Sequence, residues 1–331
     1  MHLKFLKYLC DPLTSEELLL EVIDESNNFI KSGFLVSKSN RYPIRNGIPR
    51  FNEAEASVNY TKSFGFQWNK WPFVQFEDNN FGRPMQGHTR RMFETITETN
   101  LNNFTQEQVF CDFGCGSGRF IDLVAGSKNL VIGIDASSAI DAAASRFSEN
   151  SRVLLCQADV VSTPLRTGVI DYVYSIGVLH HTPNPSIGVK EMARVLKHGG
   201  SMAVSVYGKS GYYDDDFVRL YRKIFKSLPP WLSQKFATFY SYLVVTLTRP
   251  VYKVSILRRL LKPLLTYFPH IQLPDFKWSI LDTFDSVTPS YQVGISPYEM
   301  YSFMESAGMR KMRPVNWGGT AMKAVKIHDE E

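Results

Sequence analysis

Val109-Phe-Cys-Asp-Phe-Gly-Cys-Gly-Ser-Gly-Arg-Phe120 is the stretch on which the fold turns. Its first five residues read as a buried strand carrying an acid, Asp112, near its end. Glycines follow at 114, 116 and 118, where the lack of a side chain permits a tight turn and lets a ligand approach the backbone closely. The chain then opens into a helix whose first amides can face a carboxylate. The spacing Asp-x-Gly-x-Gly-x-Gly is not the Gly-x-Gly-x-x-Gly that makes room for a pyrophosphate.

Working outward, Asn129–Ile134, Arg152–Cys156, Val169–Tyr174 and Ser201–Tyr207 read as four further strands separated by helical stretches. That alternation predicts a parallel sheet with right-handed crossovers. Arg310–Asn316 and Thr320–Ile327, joined by Trp317-Gly318-Gly319, read as a hairpin closing one sheet edge. The expected class is α/β: a Rossmann-like seven-stranded sheet, a small ribbon-like N-terminal domain, and a helical insertion before the last two strands. The expected divisions are a ribbon-like unit at 1–55, a linker at 56–104 with a helix from His88 to Asn100, and the catalytic unit at 105–331 with its insertion at about 210–290. Pro43, Gly47 and Pro49 punctuate the N-terminal unit, and alternation around Phe34, Val36 and Ile44 suggests short strands.

The loop spacing suits S-adenosylmethionine (SAM), which has no pyrophosphate and carries a cationic methionine end that Asp112 can serve. Asp135, at the tip of the second strand, stands where such folds hydrogen-bond ribose hydroxyls, and Asp159 after the third strand can accept from the adenine amine. His180 and His181 follow the fourth strand at the carboxyl edge of the sheet. A histidine there can act as general base; it can equally pack beside the cofactor or bond the loop holding Pro183 and Pro185. Through these motifs, from about 109 to 207, the chain resembles the class I SAM-dependent methyltransferases. The resemblance implies that Asp112, Gly114, Cys115, Gly116 and Gly118 shape the methionine pocket. It places Asp135 and Ala136 at the ribose, Asp159 and Val160 at the adenine, and Ser175 in the same cofactor set. No Asn-Pro-Pro-aromatic segment follows the fourth strand, which disfavours nucleobase amino-methylation by that route.

Cys10, Cys111, Cys115 and Cys156 make no disulfide framework in 331 residues, so a reducing, cytosolic setting is expected. The longest uncharged apolar run, Phe236–Thr248, has 13 residues, short of the ~20 that span a bilayer. The protein is expected to be cytoplasmic, at most peripheral to the inner face of a membrane. The first 50 or so residues resemble the zinc-ribbon-like domain of bacterial proteins related to the activator subunit of tRNA methyltransferases. The points of contact are Leu9-Cys10-Asp-Pro12-Leu13 and Tyr42-Pro43-Ile44-Arg45-Asn46-Gly47-Ile48-Pro49. In that family paired cysteines can hold zinc; here only Cys10 remains, with Ser37 and Asn40 near the second pair. One thiolate cannot build a four-ligand site; no metal is expected, and apolar contacts and docking should hold the unit together.

The net charge of +5 gains meaning in Phe217–Pro274, which holds ten Lys or Arg and no Asp or Glu, interleaved with aliphatic and aromatic residues. Such a composition fits an interfacial helix on an anionic membrane; a solvated helical cap fits it about as well, and RNA binding is a minor alternative. Beyond it, the segment Leu281–Gln292 offers Asp282, Asp285, Tyr291 and Gln292 as acceptor-pocket groups, or else forms a hydrogen-bonded loop. This arrangement looks like a bacterial methyltransferase subgroup associated with cell-surface glycan or lipid pathways. The expected activity is methyl transfer to a small-molecule, lipid-linked or sugar-containing acceptor. An RNA or protein methyltransferase and a non-catalytic SAM-binding regulator are the rivals.

Overall fold

The computed structural model describes residues 1–52, 61–100, 107–209, 216–251, 256 and 271–327. The N-terminal sheet is a meander of β1 (Leu19–Ser26), β2 (Phe29–Val36), β3 (Arg41–Arg45) and β4 (Ile48–Pro49), each antiparallel to the next. Its two tight turns are Asn27-Asn28 and Asn46-Gly47, all with positive φ, as two-residue hairpins of right-handed strand twist require. The alternation expected around Phe34 and Val36 is shifted by one residue. Ile30 and Leu35 face the core, while Phe34 lies outside under the Arg41 guanidinium, 3.6 Å from its ring centre.

This meander does not stand apart. Phe5, Leu9, Ile30 and Leu35 belong to one apolar cluster with Ile132, Leu154 and Cys156 of the larger sheet. Backbone bridges join Arg50 to Gln157 and Leu9 to Leu165. The Arg50 guanidinium reaches Asp141 at 2.5 Å and Gln157 at 2.8 Å.

After α1 (Lys62–Lys70) and α2 (His88–Thr97), the chain alternates β5 (Val109–Phe113), α3 (Arg119–Ala125), β6 (Leu130–Asp135), α4 (Ala139–Phe147), β7 (Val153–Gln157), β8 (Ile170–Ile176), α5 (Pro185–Val195) and β9 (Leu196–Val206). The expected helix from His88 stops three residues early, where Glu98 takes a left-handed conformation. Side chains of β5 point alternately to two cores: Cys111 and Phe113 to the one shared with the N-terminal unit, Phe110 to the other.

The insertion contributes α6 (Asp216–Phe225) and α7 (Pro230–Val251); then come α8 (Phe276–Val287), α9 (Pro297–Ser306), β10 (Met309–Pro314) and β11 (Thr320–Lys326). Seven strands lie in the order β10-β11-β9-β8-β5-β6-β7, all running the same way except β11, which pairs antiparallel with both of its neighbours. This is the Rossmann-like α/β sheet expected, with the hairpin at one edge. Residues 252–255 and 257–270 of the insertion, among them Arg258, Arg259 and Lys262, lie outside the described residues.

Segment 281–292 is a loop only in its second half. Asp275 caps α8, its carboxylate accepting from the amides of Lys277 at 2.8 Å and Trp278 at 3.1 Å. Asp282 and Asp285 therefore sit three residues apart on one helix, on a common face. Among the described residues no helix is long and apolar enough to cross a membrane.

Candidate functional site

The glycine loop is held by the strand beside it. The Ile134 carbonyl accepts from the amides of Gly114 at 2.8 Å and Cys115 at 2.9 Å. The Asp135 carboxylate accepts from Gly116 N at 2.8 Å, Ser137 N at 2.8 Å and Ser137 Oγ at 2.6 Å. Gly114 has φ +87°, and a Cβ there would come within 2.3 Å of Val178; one on Gly116 would come within 3.0 Å of the Trp68 indole. The backbone is thus left bare along one wall of a cavity.

That cavity, of about 310 Å³, runs from Gly114, Cys115, Gly116, Asp135, Ala136, Asp159 and Val160 to His181, Tyr207, Asp282 and Asp285. The sequence reading placed all of these on the site except Tyr207. Six other residues expected there, Tyr291 and Gln292 among them, lie off the wall. Gly118 packs against Phe147, where a Cβ would come within 2.6 Å of its ring, so it serves helix packing. Ser175 is buried and donates to the Phe113 carbonyl at 2.9 Å. His180 is buried against the Tyr207 ring at 3.8 Å, with both ring nitrogens unpartnered. Asp112 is buried behind the loop, its Oδ2 without a partner. Burial, reinforced by the charge of Asp135, raises its pKa to about 8.

Tyr291 and Gln292 also differ from expectation. The Tyr291 side chain is exposed, and its backbone carbonyl accepts from His181 Nδ1 at 2.9 Å. Gln292 is taken up by the Arg222 guanidinium. The Tyr291 contact has a chemical consequence. Because a carbonyl can only accept, Nδ1 carries the proton and Nε2 holds a free lone pair. Burial depresses the pKa of His181 to about 3, keeping the ring neutral.

Asp282 and Asp285 line the same cavity as this histidine. Burial and then the charge of Asp285 raise Asp282 to about 7, with Arg119 opposing. Burial raises Asp285 to about 6, held back by hydrogen bonds from Tyr207 and Gln67 and by Arg222 and Arg119. The Tyr207 hydroxyl donates to Asp285 Oδ2 at 3.2 Å. Arg119 itself is anchored to Gln75 Oε1 at 2.5 Å and lies over the Phe120 ring at 4.4 Å.

Several wall residues escaped the sequence reading: Phe64, Gln67, Trp68, Arg119, Trp278 and Trp317. The only signal for the first three was the aromatic richness of 56–104, which has no periodicity that marks α1. Trp278 is oriented by Asn80, whose Oδ1 accepts from its indole at 3.1 Å, a contact across 198 residues that no local pattern discloses.

The residues present fit SAM. Two glycines leave a bare cradle, Asp135 has filled about three of its four acceptor positions, and Asp112 keeps an orphaned carboxylate oxygen near the loop.

Residues 111–204 match the family model described as a methyltransferase domain. An uncharacterized chloroplastic methyltransferase of Arabidopsis thaliana is 31% identical over 115 residues, covering 32% of this chain and 31% of its own. The probable tRNA methyltransferase 9B of Bos taurus is 35% identical over 115 residues, 32% of this chain and 24% of its own. The chain thus spans less than a third of the length of these two relatives. Among solved structures, human N-acetylserotonin methyltransferase in complex with SAM aligns over 84% of this chain and 61% of its own, at 14% identity and a TM-score of 0.46. Residues 111–204 of this chain thus match a methyltransferase domain, and the residues lining the glycine-loop end of the cavity fit SAM.

Proposed function

We propose that the protein transfers a methyl group from SAM to a small-molecule, lipid-linked or sugar-containing acceptor held between His181 and the Asp282–Asp285 pair. The observation that carries this reading is the single cavity joining the glycine loop to those three residues. Bound SAM would supply an electrophilic methyl on a sulfonium. The protein's task is then to position the acceptor and remove its proton. Asp135 would take a ribose hydroxyl on its remaining acceptor position, Asp159 and Val160 the adenine, and Asp112 would balance the cationic end from behind the loop.

For proton removal Asp282 is better matched than either histidine. A base works best with a pKa near the working pH, and Asp282 lies at about 7 whereas His181 lies at about 3. SAM held along Gly114, Gly116 and Asp135 would supply the methyl carbon to the acceptor heteroatom and keep the carbon–sulfur bonding pair on its sulfur. The acceptor's proton passes to Asp282 and from there to water. His181 Nε2, a neutral acceptor, would orient the same hydroxyl or amine.

Relatives named as tRNA methyltransferases keep an RNA acceptor as the second reading. Their similarity covers about a third of this chain, so it bears on the cofactor half rather than on acceptor choice. The test is transfer of labelled methyl from SAM into fractionated cell extract. Label entering lipid or glycan supports the proposal; label in RNA or protein replaces it with the rival. Calorimetric SAM binding with no label in any fraction indicates a regulatory SAM-binding protein. Activity should rise with pH through about 7 and lose that limb in Asp282→Asn, with SAM affinity retained.

A further inference from the structure

Helix α7 has two unlike faces. Ser233, Ala237, Tyr240, Ser241 and Val244 are buried, and the helix packs on α1 and α8. The opposite face carries Trp231, Leu232, Lys235, Phe239, Tyr242 and Leu243, all exposed, which fall within about 120° of one another around the axis. Phe239 is 66% exposed, Tyr242 61% and Trp231 52%. A soluble helix would place polar residues there. This one places five large apolar residues and a lysine, whose ammonium lies 5.2 Å from the Trp231 ring centre.

The neighbouring α6 repeats the pattern. It also packs on α8, and its exposed residues include Leu220 and Ile224, one turn apart, beside Lys223. Lys226 is exposed just beyond its end. The sequence from Phe217 to Pro274 carries no acid, although Asp214, Asp215 and Asp216 stand directly before it. Aromatic and aliphatic residues mixed with exposed lysines form the composition of a helix lying in the headgroup region, its rings at the acyl boundary and its cations at the phosphates. A second copy of the chain would bring like charges face to face, and a phosphodiester backbone would have no use for exposed leucine and isoleucine.

We propose that the outward face of α7, flanked by α6, seats on an anionic phospholipid surface. The contact is reversible: a few cations and rings hold the protein without any segment crossing the bilayer. It does not depend on the acceptor assigned above.

The test is co-sedimentation of the full chain with phosphatidylcholine vesicles, with and without phosphatidylglycerol. Binding to the anionic vesicles should be about tenfold stronger and weaken with added salt. Phe239→Ser with Leu243→Ser should reduce it about tenfold. Lys223→Glu, Lys226→Glu and Lys235→Glu together should abolish it. These side chains are exposed, so melting temperature and SAM affinity should stay unchanged, which separates a lost surface from a lost fold or cofactor site. Recovery in the supernatant with both vesicle types overturns the proposal. So does binding indifferent to the Phe239 and Leu243 changes, which would mean charge attraction alone. Salt-sensitive binding to single-stranded RNA without vesicle binding, or dimers in light scattering abolished by the same substitutions, would likewise replace it.

Discussion

At the scale of single residues, the acids at the strand tips are not equivalent, and the structure separates two roles that their sequence positions made look alike. Asp135 is both a wall residue and the peg on which the glycine loop hangs, through Gly116. Replacing it by alanine would therefore damage the loop as well as remove a ribose partner. Asp112 is the opposite case, a buried carboxylate with an unpartnered oxygen. Its folded pKa, about 8, is raised above the ordinary 3.8. Its favourable contribution is therefore fully present below about pH 4 and is lost as pH rises toward 8. Asp112→Asn should raise stability by on the order of 2 kcal/mol at pH 7, with the gain growing between pH 5 and pH 8. The same variant should bind SAM about tenfold more weakly, since a bound cation would draw the neutral Asp112 carboxyl into its charged form, which asparagine lacks. Denaturant titrations at the two pH values and calorimetry with SAM check both halves. A variant as weak in stability as in binding would mean that Asp112 is only structural.

At the scale of elements, the N-terminal meander shows what holds a small sheet that has no paired cysteines. Ser37 and Asn40, near the positions of the second cysteine pair in the resembling family, both donate to Asp11, at 2.5 and 2.9 Å. Tyr42 Oη donates at 2.9 Å and the Leu13 amide at 2.8 Å. The expectation of apolar contacts and docking alone thus missed a buried polar knot. Burial opposes the charge on Asp11, but these hydrogen bonds outweigh it and bring its pKa down to about 2. With the folded pKa depressed, the stabilisation is present above about pH 4 and disappears as pH falls toward 2. It amounts to about 2 kcal/mol. Asp11→Ala should cost more, on the order of 3 kcal/mol, because it strands several buried donors. Acid titration of unfolding free energy should show the wild type losing stability between pH 4 and pH 2, and the variant losing less over that interval.

At the scale of the whole molecule, the N-terminal unit and the catalytic sheet share one apolar core and exchange backbone bridges. A single calorimetric unfolding transition is expected for the full chain, and two separated transitions would show the units to be independent. Removing residues 1–52 should leave Ile132, Leu154 and Cys156 uncovered and the remainder aggregation-prone, as light scattering would register. The sequence by itself determined the sheet, the glycine loop and the acids at its strand tips. Strand periodicity and glycine spacing are local, so a few consecutive residues suffice to read them. What it could not decide was which of these groups face the cavity. Asp112, Ser175 and His180 lie within two residues of wall positions, yet the pleat and the turn after β8 aim them elsewhere. The aromatic and acidic half of the site was also decided by tertiary structure. Trp68, Arg119, Trp278 and Asp282 come from α1, α3 and α8, and meet because three helices pack over one end of the sheet. Packing joins residues more than 200 positions apart, a distance over which no pattern in the chain carries information.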